Sequence, residues 1–188
     1  MPAPLPANAQ CVFRGQLFTI YQWPQTLYDG STALFECCVR PDTVVVIGFL
    51  DKETVLVTKQ EHPHRSEPFW DLAGGRVEHG ETAEEAARRE FREETGYDIG
   101  TLEQGYVDEH TGAVRFCQTV FFAKDLTPAE GGQHLDAGEK IELIPTSIND
   151  LRERCLSDGL RNRFTELVWL RLCDEPTERA RLSAFLES

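Results

Sequence analysis

The chain has 188 residues, which is enough for one domain with a substantial core and too few for two large domains. Its 40% hydrophobic and 27% charged residues are typical of a globular protein. The net charge of −13 argues against tight non-specific binding to nucleic acid or to an anionic membrane, because phosphate contacts need lysine and arginine. We therefore expect neither as a partner, and an anionic ligand would need local positive charge.

Composition also bears on location. Residues 1–10 are rich in Pro and Ala and lack a basic region followed by an apolar core. No apolar run in the sequence approaches the length of a membrane span. The six cysteines lack the spacing of a zinc site, so we expect free thiols in a reducing compartment and a cytoplasmic location.

Two β segments are predicted near the start of the chain. Apolar residues alternate loosely from Val12 to Trp23, which predicts a strand or a bent hairpin with Gly15 near the bend. Pro24 and a turn at residues 28–30 are predicted to end it. A further strand is expected over residues 33–40. We divide the chain into an N-terminal antiparallel β extension and a main domain, at residues 1–41 and 42–188.

The main domain mixes predicted strands and helices. A β-branched run at residues 43–50 fits a strand buried on both faces. Residues 101–109 and 113–123 are expected to form an antiparallel pair. A mixed sheet with helices on its faces is the natural architecture for this pattern. The other predicted elements are strands at 54–59 and 140–145 and helices at 148–155, 161–173 and 175–186.

The most informative segment is a glycine-containing loop followed by a helix. Thr82 and Glu85 have the spacing of a capping box, and Gly96 stands where a helix ends in a left-handed residue. Three glutamates at spacing i, i+3 and i+4 lie on one side of this helix and continue an alanine stripe suited to face the core. The glutamates are Glu90, Glu93 and Glu94, and the alanines are Ala83, Ala86 and Ala87.

Clustered carboxylates that are partly out of water repel one another, and each is costly when it is ionised and unpaired. A divalent cation removes this conflict, and several hard oxygen ligands suit Mg²⁺ or Mn²⁺. The alternative is an ordinary surface helix with a solvated acidic face.

The segment from Gly75 to Tyr97 resembles the Nudix box, a pattern of Gly, five residues, Glu, seven residues, Arg-Glu, an apolar residue, any residue, Glu-Glu, any residue, Gly and an apolar residue. The resemblance implies a Nudix α/β/α sandwich of the α+β class with a mixed sheet, here preceded by the β extension. It also implies a metal-dependent pyrophosphohydrolase. The matching residues are Gly75, Glu81, Arg89, Glu90, Phe91, Glu93, Glu94, Gly96 and, as a mild departure in the last apolar position, Tyr97.

The resemblance assigns metal ligands. Glu90 and Glu94 are implied as the main ligands of Mg²⁺ or Mn²⁺, and Glu93 as a third ligand or as the catalytic base. The Glu81 carboxylate and the Gly74 carbonyl are implied as additional ligands. For Glu81 an alternative remains open, because an acidic residue near a helix N-terminus also favours the helix dipole.

Two residues complete the predicted catalytic set. Arg89 would hold a box glutamate in place through a charge-assisted hydrogen bond, which favours a structural over a directly catalytic role. Glu139, in the acidic loop 136–142, is our candidate for a catalytic base or an extra metal ligand from outside the box. A plain solvated loop is the alternative for this segment.

Three residues are candidates for substrate contact. Trp23 and Tyr28 are placed to stack on a nucleobase, although aromatic residues at strand spacing more often belong to a core. Arg65, in the loop 60–68, is placed to meet a phosphate, with an exposed basic loop as the alternative. In the ADP-ribose and nucleotide-sugar branch of the family an N-terminal sheet helps to form a dimer, so the resemblance also implies a homodimer.

The substrate class follows from the resemblance less directly. The N-terminal extension and the chain length favour a small-molecule nucleotide substrate, ADP-ribose or another nucleoside diphosphate sugar. ADP-ribose pyrophosphatases tend to have a proline about sixteen residues after the box. Residues 110–113 occupy that place here and contain no proline, which is a departure from the ADP-ribose pattern. Two alternatives stay open, a hydrolase of modified nucleoside triphosphates and a ligand-sensing Nudix-like domain without turnover. The intact glutamates and arginine of the box argue against the sensor.

Overall fold

The computed structural model describes residues 4–188. Its strands are β1 (Gln10–Arg14), β2 (Thr19–Thr26), β3 (Thr32–Val39), β4 (Thr43–Phe49), β5 (Thr54–Glu61), β6 (Phe69–Asp71), β7 (Tyr97–Thr111), β8 (Val114–Pro128) and β9 (Lys140–Ser147). Its helices are α1 (Ala83–Thr95), α2 (Ile148–Leu156), α3 (Arg163–Asp174) and α4 (Pro176–Glu187). Within this range the nine strands form one mixed sheet in the order β1-β2-β3-β8-β4-β5-β6, with β7 paired to β8 and β9 paired to β5.

The N-terminal extension is a bent hairpin followed by a third antiparallel strand. The Gly15 N–H donates to the Phe18 carbonyl (2.8 Å), which closes the bend between β1 and β2. We predicted that Pro24 and the turn at residues 28–30 end this strand, and β2 continues through Pro24 to Thr26 and ends just before that turn. β1 pairs with β2 only as far as Gln22, so Pro24 lies on a sheet edge where its missing N–H is tolerated.

The centre of the sheet is β4, which runs parallel to β8 and antiparallel to β5. Its side chains alternate between two cores: Val44 and Val46 face one cluster, whereas Val45 and Ile47 face the other. All four are buried, as the β-branched run predicted. Complete burial of such a side chain stabilises the fold by roughly 1.5–3 kcal/mol.

Helices cover both faces of this sheet. α1 packs on one face through Ala86, Ala87 and Phe91. On the other face, α2, α3 and α4 bury residues such as Leu151 and Trp169. The predicted α/β/α sandwich of the α+β class is therefore confirmed. No helix among residues 4–188 is both long and apolar enough to cross a membrane.

The C-terminal helices begin where side-chain caps allow. The Ser147 hydroxyl accepts from the Asp150 N–H (3.0 Å), so Ser147 is the N-cap of α2. Asn162 caps α3 by accepting from the Thr165 N–H (3.2 Å), which starts this helix two residues later than predicted.

Candidate active site

The helix that carries the three glutamates is fixed at both ends. The Thr82 hydroxyl accepts from the Glu85 N–H (3.2 Å), and the Glu85 carboxylate accepts from the Thr82 N–H (2.8 Å), which completes the predicted capping box. At the other end Gly96 has a φ of 70°, a left-handed conformation that glycine adopts without strain. These two caps fix where α1 begins and ends, and the packing of Ala86, Ala87 and Phe91 sets which side of it faces the sheet.

Two of the glutamates are held in a poorly hydrated environment. Glu94 is only 5% exposed, and its carboxylate accepts a hydrogen bond from the Gly74 N–H (2.9 Å). Burial raises the pKa of Glu94 well above its usual value. Burial is also the main cause that raises the pKa of Glu90, against the opposing effect of Arg89. Ionisation of either carboxylate in this environment therefore costs free energy, and a nearby positive charge reduces that cost.

Glycine is required in the loop that meets these carboxylates. A Cβ atom on Gly75 would lie 2.4 Å from the Glu90 carboxyl group. A Cβ atom on Gly74 would lie 2.2 Å from the Val44 carbonyl oxygen. The loop runs beside β4, with the Val44 N–H donating to the Gly75 carbonyl (2.9 Å). The absence of side chains thus brings this backbone between the central strand and the carboxylates.

Arg89 connects the loop to the helix. Its guanidinium donates to the carboxylates of Glu81 (2.9 Å), Glu90 (2.9 Å) and Glu93 (3.1 Å), and to the Arg76 carbonyl (3.0 Å). The hydrogen bond from Arg89 is the largest cause that lowers the pKa of Glu81. A planar guanidinium can serve these separate acceptors at once, which lysine cannot do.

A cavity of about 580 Å³ is lined by Glu90, Glu93 and Glu94, and we call it the carboxylate cavity. Glu139 lines it as well, although it comes from the loop before β9. That loop is tied to α1, because the His134 N–H donates to the Glu93 carbonyl (2.8 Å). The structure therefore brings Glu139 to the same cavity as the glutamates of the box.

A family model described as the NUDIX domain matches residues 39–155 of this chain. The chain belongs to the Nudix family. The predicted family is thereby confirmed, and the protein is a Nudix pyrophosphohydrolase. The boundary that we placed between residues 41 and 42 remains a prediction.

Several known proteins are similar to this Nudix enzyme. The ADP-ribose pyrophosphatase of Bacillus subtilis (strain 168) is 26% identical over 147 residues, which cover 74% of this chain and 76% of that protein. The methanol dehydrogenase activator of Bacillus methanolicus is 24% identical over the same shares. A putative 8-oxo-dGTP diphosphatase of Bacillus subtilis (strain 168) is 50% identical over 52 residues, which cover 28% of this chain and 32% of that protein.

The fold is also similar to a solved structure. A crystal structure described as an ADP compounds hydrolase superposes with a TM-score of 0.73, covering 90% of this chain and 94% of that one, at 18% sequence identity. At this identity the similarity shows a shared fold. It supports the α/β/α sandwich and extends beyond the residues that the family model matches.

The donor set suits the divalent cation that Nudix hydrolases generally use. Among residues 4–188, no three His, Cys, Asp or Glu side chains already converge tightly enough to hold a metal ion. Arg89 instead pairs with Glu90 and Glu93. However, Glu90 and Glu94 are hard oxygen donors whose burial disfavours ionisation without a cation. The carboxylate chemistry of this Nudix site therefore fits such an ion.

The predicted substrate residues are dispersed. Arg65 lines a smaller cavity of about 310 Å³ together with Glu139, and its guanidinium stacks 4.7 Å from the Phe69 ring centroid. Trp23 is 6% exposed in β2, and Tyr28 is fully exposed in the turn before β3. Neither of these aromatic residues lines the carboxylate cavity or the cavity at Arg65.

Sequence reasoning missed a second cavity of about 500 Å³, which we call the arginine cavity. Its basic residues are Arg40, Arg76, Arg161 and Arg163. Arg76 lines both this cavity and the carboxylate cavity. The position of Arg76 directly after Gly74-Gly75 was the one local signal available, because the other arginines come from distant parts of the chain.

Proposed function

We propose that this Nudix enzyme hydrolyses the diphosphate of ADP-ribose or of a related nucleoside diphosphate sugar, with Mg²⁺ or Mn²⁺ as its cofactor. The observation that carries this proposal is the buried carboxylate of Glu94 beside the partly buried carboxylate of Glu90, in a cavity shared with Glu93 and Glu139. The similarity to an ADP-ribose pyrophosphatase over three quarters of both chains supports the substrate class.

Glu90 and Glu94 would hold the cation, with the Gly74 carbonyl, Glu93 and Glu81 as further ligands. A divalent cation held by these residues would lower the pKa of a bound water and would offset the charge of the diphosphate. Arg89 contributes by fixing the carboxylates of three glutamates relative to the Arg76 backbone. This role is positional, since the guanidinium is already occupied by protein acceptors.

A carboxylate must take the proton of the attacking water. We assign this role to Glu139, with Glu93 as the alternative, because both line the carboxylate cavity and neither is buried. The Glu139 N–H donates to the Asp136 carbonyl (2.9 Å), and this turn presents the side chain toward the cavity. For ADP-ribose, the bond between phosphorus and the bridging oxygen breaks, and the products are AMP and ribose 5-phosphate.

We also propose that the enzyme is a homodimer formed through its N-terminal strands. Large apolar side chains there are exposed: Val12 by 51%, Phe13 by 57% and Leu34 by 69%. Residues 10–39 contain only three charged side chains, so a second copy of this acidic protein would meet little repulsion there. Trp23 and Tyr28 of this extension remain proposed base contacts.

The dimer has a direct test. Light scattering after size-exclusion chromatography should give twice the chain mass of 21.3 kDa for the wild type. Leu34→Asp should give a monomer, while Leu156→Asp, at an exposed apolar position on α2, should remain dimeric. A monomeric wild type would contradict this assignment and leave the hydrolase proposal untouched.

The hydrolase proposal is tested by a substrate screen with Mg²⁺ and with Mn²⁺. We expect the highest kcat/KM with ADP-ribose or another nucleoside diphosphate sugar, and release of AMP and ribose 5-phosphate from ADP-ribose. A second candidate is a modified nucleoside triphosphate such as 8-oxo-dGTP, which the 50% identity over 52 residues favours. Preference for the triphosphate would establish that candidate, and absence of any turnover would contradict both.

A further inference from the structure

The arginine cavity adjoins the carboxylate cavity along a short backbone segment. Gly74, Gly75 and Arg76 line the arginine cavity, and Arg76 lines the carboxylate cavity too. The same segment contacts the proposed cation ligands, because the Gly74 N–H donates to Glu94. If the diphosphate of a substrate lies at the carboxylates, the group attached next to that diphosphate therefore extends into the arginine cavity.

The arginine cavity has more positive charge than the protein neutralises. Arg161 pairs with the buried carboxylate of Asp71 (2.9 Å), and Arg163 pairs with Glu166 (2.7 Å). Within residues 4–188, no carboxylate forms an ion pair with Arg40 or Arg76. In a chain with a net charge of −13, two unpaired guanidinium groups at one cavity are a local excess that calls for an anion.

Arg40 is held in place without a carboxylate. Its guanidinium carbon lies 4.5 Å from the centroid of the Phe116 ring, and that ring stacks on His110 at 4.2 Å. Its Nε atom is buried and has no hydrogen-bond partner. Burial, followed by the nearby charge of Arg76, lowers the pKa of Arg40. The protein thus positions a partly desolvated donor group that lacks an acceptor.

One wall of the arginine cavity is formed by residues that follow the segment 39–155, which matches the NUDIX domain. Arg161, Asn162 and Arg163 lie at the start of α3. The Arg161 N–H donates to the Trp70 carbonyl (2.9 Å), which fixes this segment against β6. The helix dipole at the N-terminus of α3 favours a nearby negative charge, as the arginine side chains do.

We propose that the arginine cavity binds a second anionic group of the substrate, a phosphomonoester separate from the diphosphate that is hydrolysed. This inference rests on the proposed function. A cation held at the glutamates would offset the charge of the scissile diphosphate, and a neutral sugar in the arginine cavity would leave Arg40 and Arg76 uncompensated. A phosphomonoester accepts charge-assisted, bidentate hydrogen bonds from guanidinium groups. The substrate class is therefore a nucleoside diphosphate derivative with an additional phosphate on one of its riboses.

Three compounds test this assignment: ADP-ribose, ADP-ribose 2′-phosphate and ADP-ribose 1″-phosphate. Calorimetric titration in EDTA measures their binding without hydrolysis, and kcat/KM with Mg²⁺ measures turnover. We expect at least one phosphorylated compound to bind about tenfold more tightly than ADP-ribose. Arg40→Gln should remove this preference and leave the affinity for ADP-ribose within about twofold.

Two further variants control the comparison. Arg179→Gln, at an exposed position on α4, should keep the preference. Arg76→Gln should reduce it, because Arg76 is the other guanidinium without a carboxylate partner, and the fold should tolerate this change because Arg76 is exposed. Thermal unfolding of each variant shows whether the fold is retained.

Equal binding of all three compounds by the wild type would overturn the inference. A uniform loss for all three in Arg40→Gln would also overturn it, because the arginines would then bind the scissile diphosphate. A binding preference in EDTA without turnover in Mg²⁺ would uphold the inference and contradict the proposed function instead.

Discussion

The carboxylate cavity and the arginine cavity meet at Arg76 but are opposite in charge and in construction. The first takes its acidic residues from one capped helix, the loop that leads into that helix and one loop anchored to it. The second takes its basic residues from the end of β3, the loop before α1 and the start of α3. The contrast teaches that the reaction can depend on a local, rigid element while substrate choice depends on how distant segments pack together.

Of the variants, Glu94→Gln should show the largest difference between the roles of the two cavities, because turnover should fall while ligand binding is retained. This change removes a proposed cation ligand, so kcat should fall by at least about 100-fold. Binding of ADP-ribose and its phosphorylated derivatives in EDTA should be unchanged, because the arginine cavity is intact. Kinetics with Mg²⁺ and calorimetry in EDTA measure the two effects separately.

The matched control is Glu84→Gln on the same helix, where the side chain is 59% exposed and pairs with Arg88. It should retain wild-type kcat. Without a cation, Glu94→Gln should unfold at the same or a higher temperature than the wild type, because burial disfavours the ionised carboxylate and the amide oxygen still accepts from Gly74. Wild-type turnover by Glu94→Gln would refute the assignment of the ligands.

A smaller loss is expected from Gly75→Ala, which acts on the backbone shared by both cavities. The added methyl group would lie 2.4 Å from the Glu90 carboxyl group, so that side chain must move. A displacement of about 1 Å at a reacting centre can cost about 100-fold in rate, and we expect a 10- to 100-fold lower kcat/KM.

Gly112→Ala serves as the comparison for the glycine change. A Cβ atom there would meet no atom within 4 Å in the turn between β7 and β8. We expect normal activity from it, measured in the same assay. If Gly75→Ala is as active as Gly112→Ala, the close approach of the loop to Glu90 does not matter for catalysis.

Arg89→Lys should have an intermediate effect on both activity and stability. An ammonium group cannot replace the hydrogen bonds that Arg89 makes to Glu81, Glu90, Glu93 and the Arg76 carbonyl. We expect about a tenfold lower kcat and a loss of about 1–2 kcal/mol in the free energy of unfolding, a range that allows for the partial exposure of the group. Urea denaturation and steady-state kinetics provide the two measurements.

The neighbouring Arg88→Lys change tests whether this effect is specific. Arg88 binds the Glu84 carboxylate and the Ile99 carbonyl on a more exposed part of α1. Its replacement should leave kcat near the wild-type value. Equal losses in both variants would mean that any arginine on this helix has a general structural role.

The carboxylate side of the site could be predicted from sequence because its determinants are local. The capping box, the spacing of the glutamates and the glycines before Arg76 all lie within one continuous segment. Helical periodicity then places the side chains without knowledge of the rest of the fold. The buried run of β4 was predictable for the same reason.

The arginine side could not be predicted because its contacts are long-range. Arg40 and Arg161 become neighbours only after β3 pairs with β8 and α3 packs on the sheet. Nothing in the residues around Arg161 indicates that Asp71 will fix its guanidinium. Trp23 and Arg65 have side chains chemically suited to substrate contact, and yet neither lines the carboxylate cavity. The type of side chain alone therefore does not predict its position in the fold.

The smallest predicted effect concerns the C-terminal helices that carry one wall of the arginine cavity. Tyr106 on β7 donates a hydrogen bond to Glu178 on α4. Burial, followed by this contact, raises the pKa of Tyr106 to about 12. An unfolded tyrosine titrates near pH 10, so between about pH 10 and 12 the unfolded chain binds fewer protons than the folded one. Stability is therefore complete below pH 10 and falls as the pH rises through this window.

Tyr106→Phe should remove this pH-dependent component, which we expect to be below about 1 kcal/mol because the ring is only half-buried. Urea denaturation at pH 8 and pH 11 gives the change in the free energy of unfolding between the two pH values. The difference in this change between wild type and Tyr106→Phe measures the component. At neutral pH the variant should still prefer phosphorylated ADP-ribose, because α3 remains packed through Trp169 and Leu172. Loss of that preference would show that the arginine cavity depends on the anchoring of α4. The arginine cavity would then be less independent of the rest of the fold than its contacts indicate.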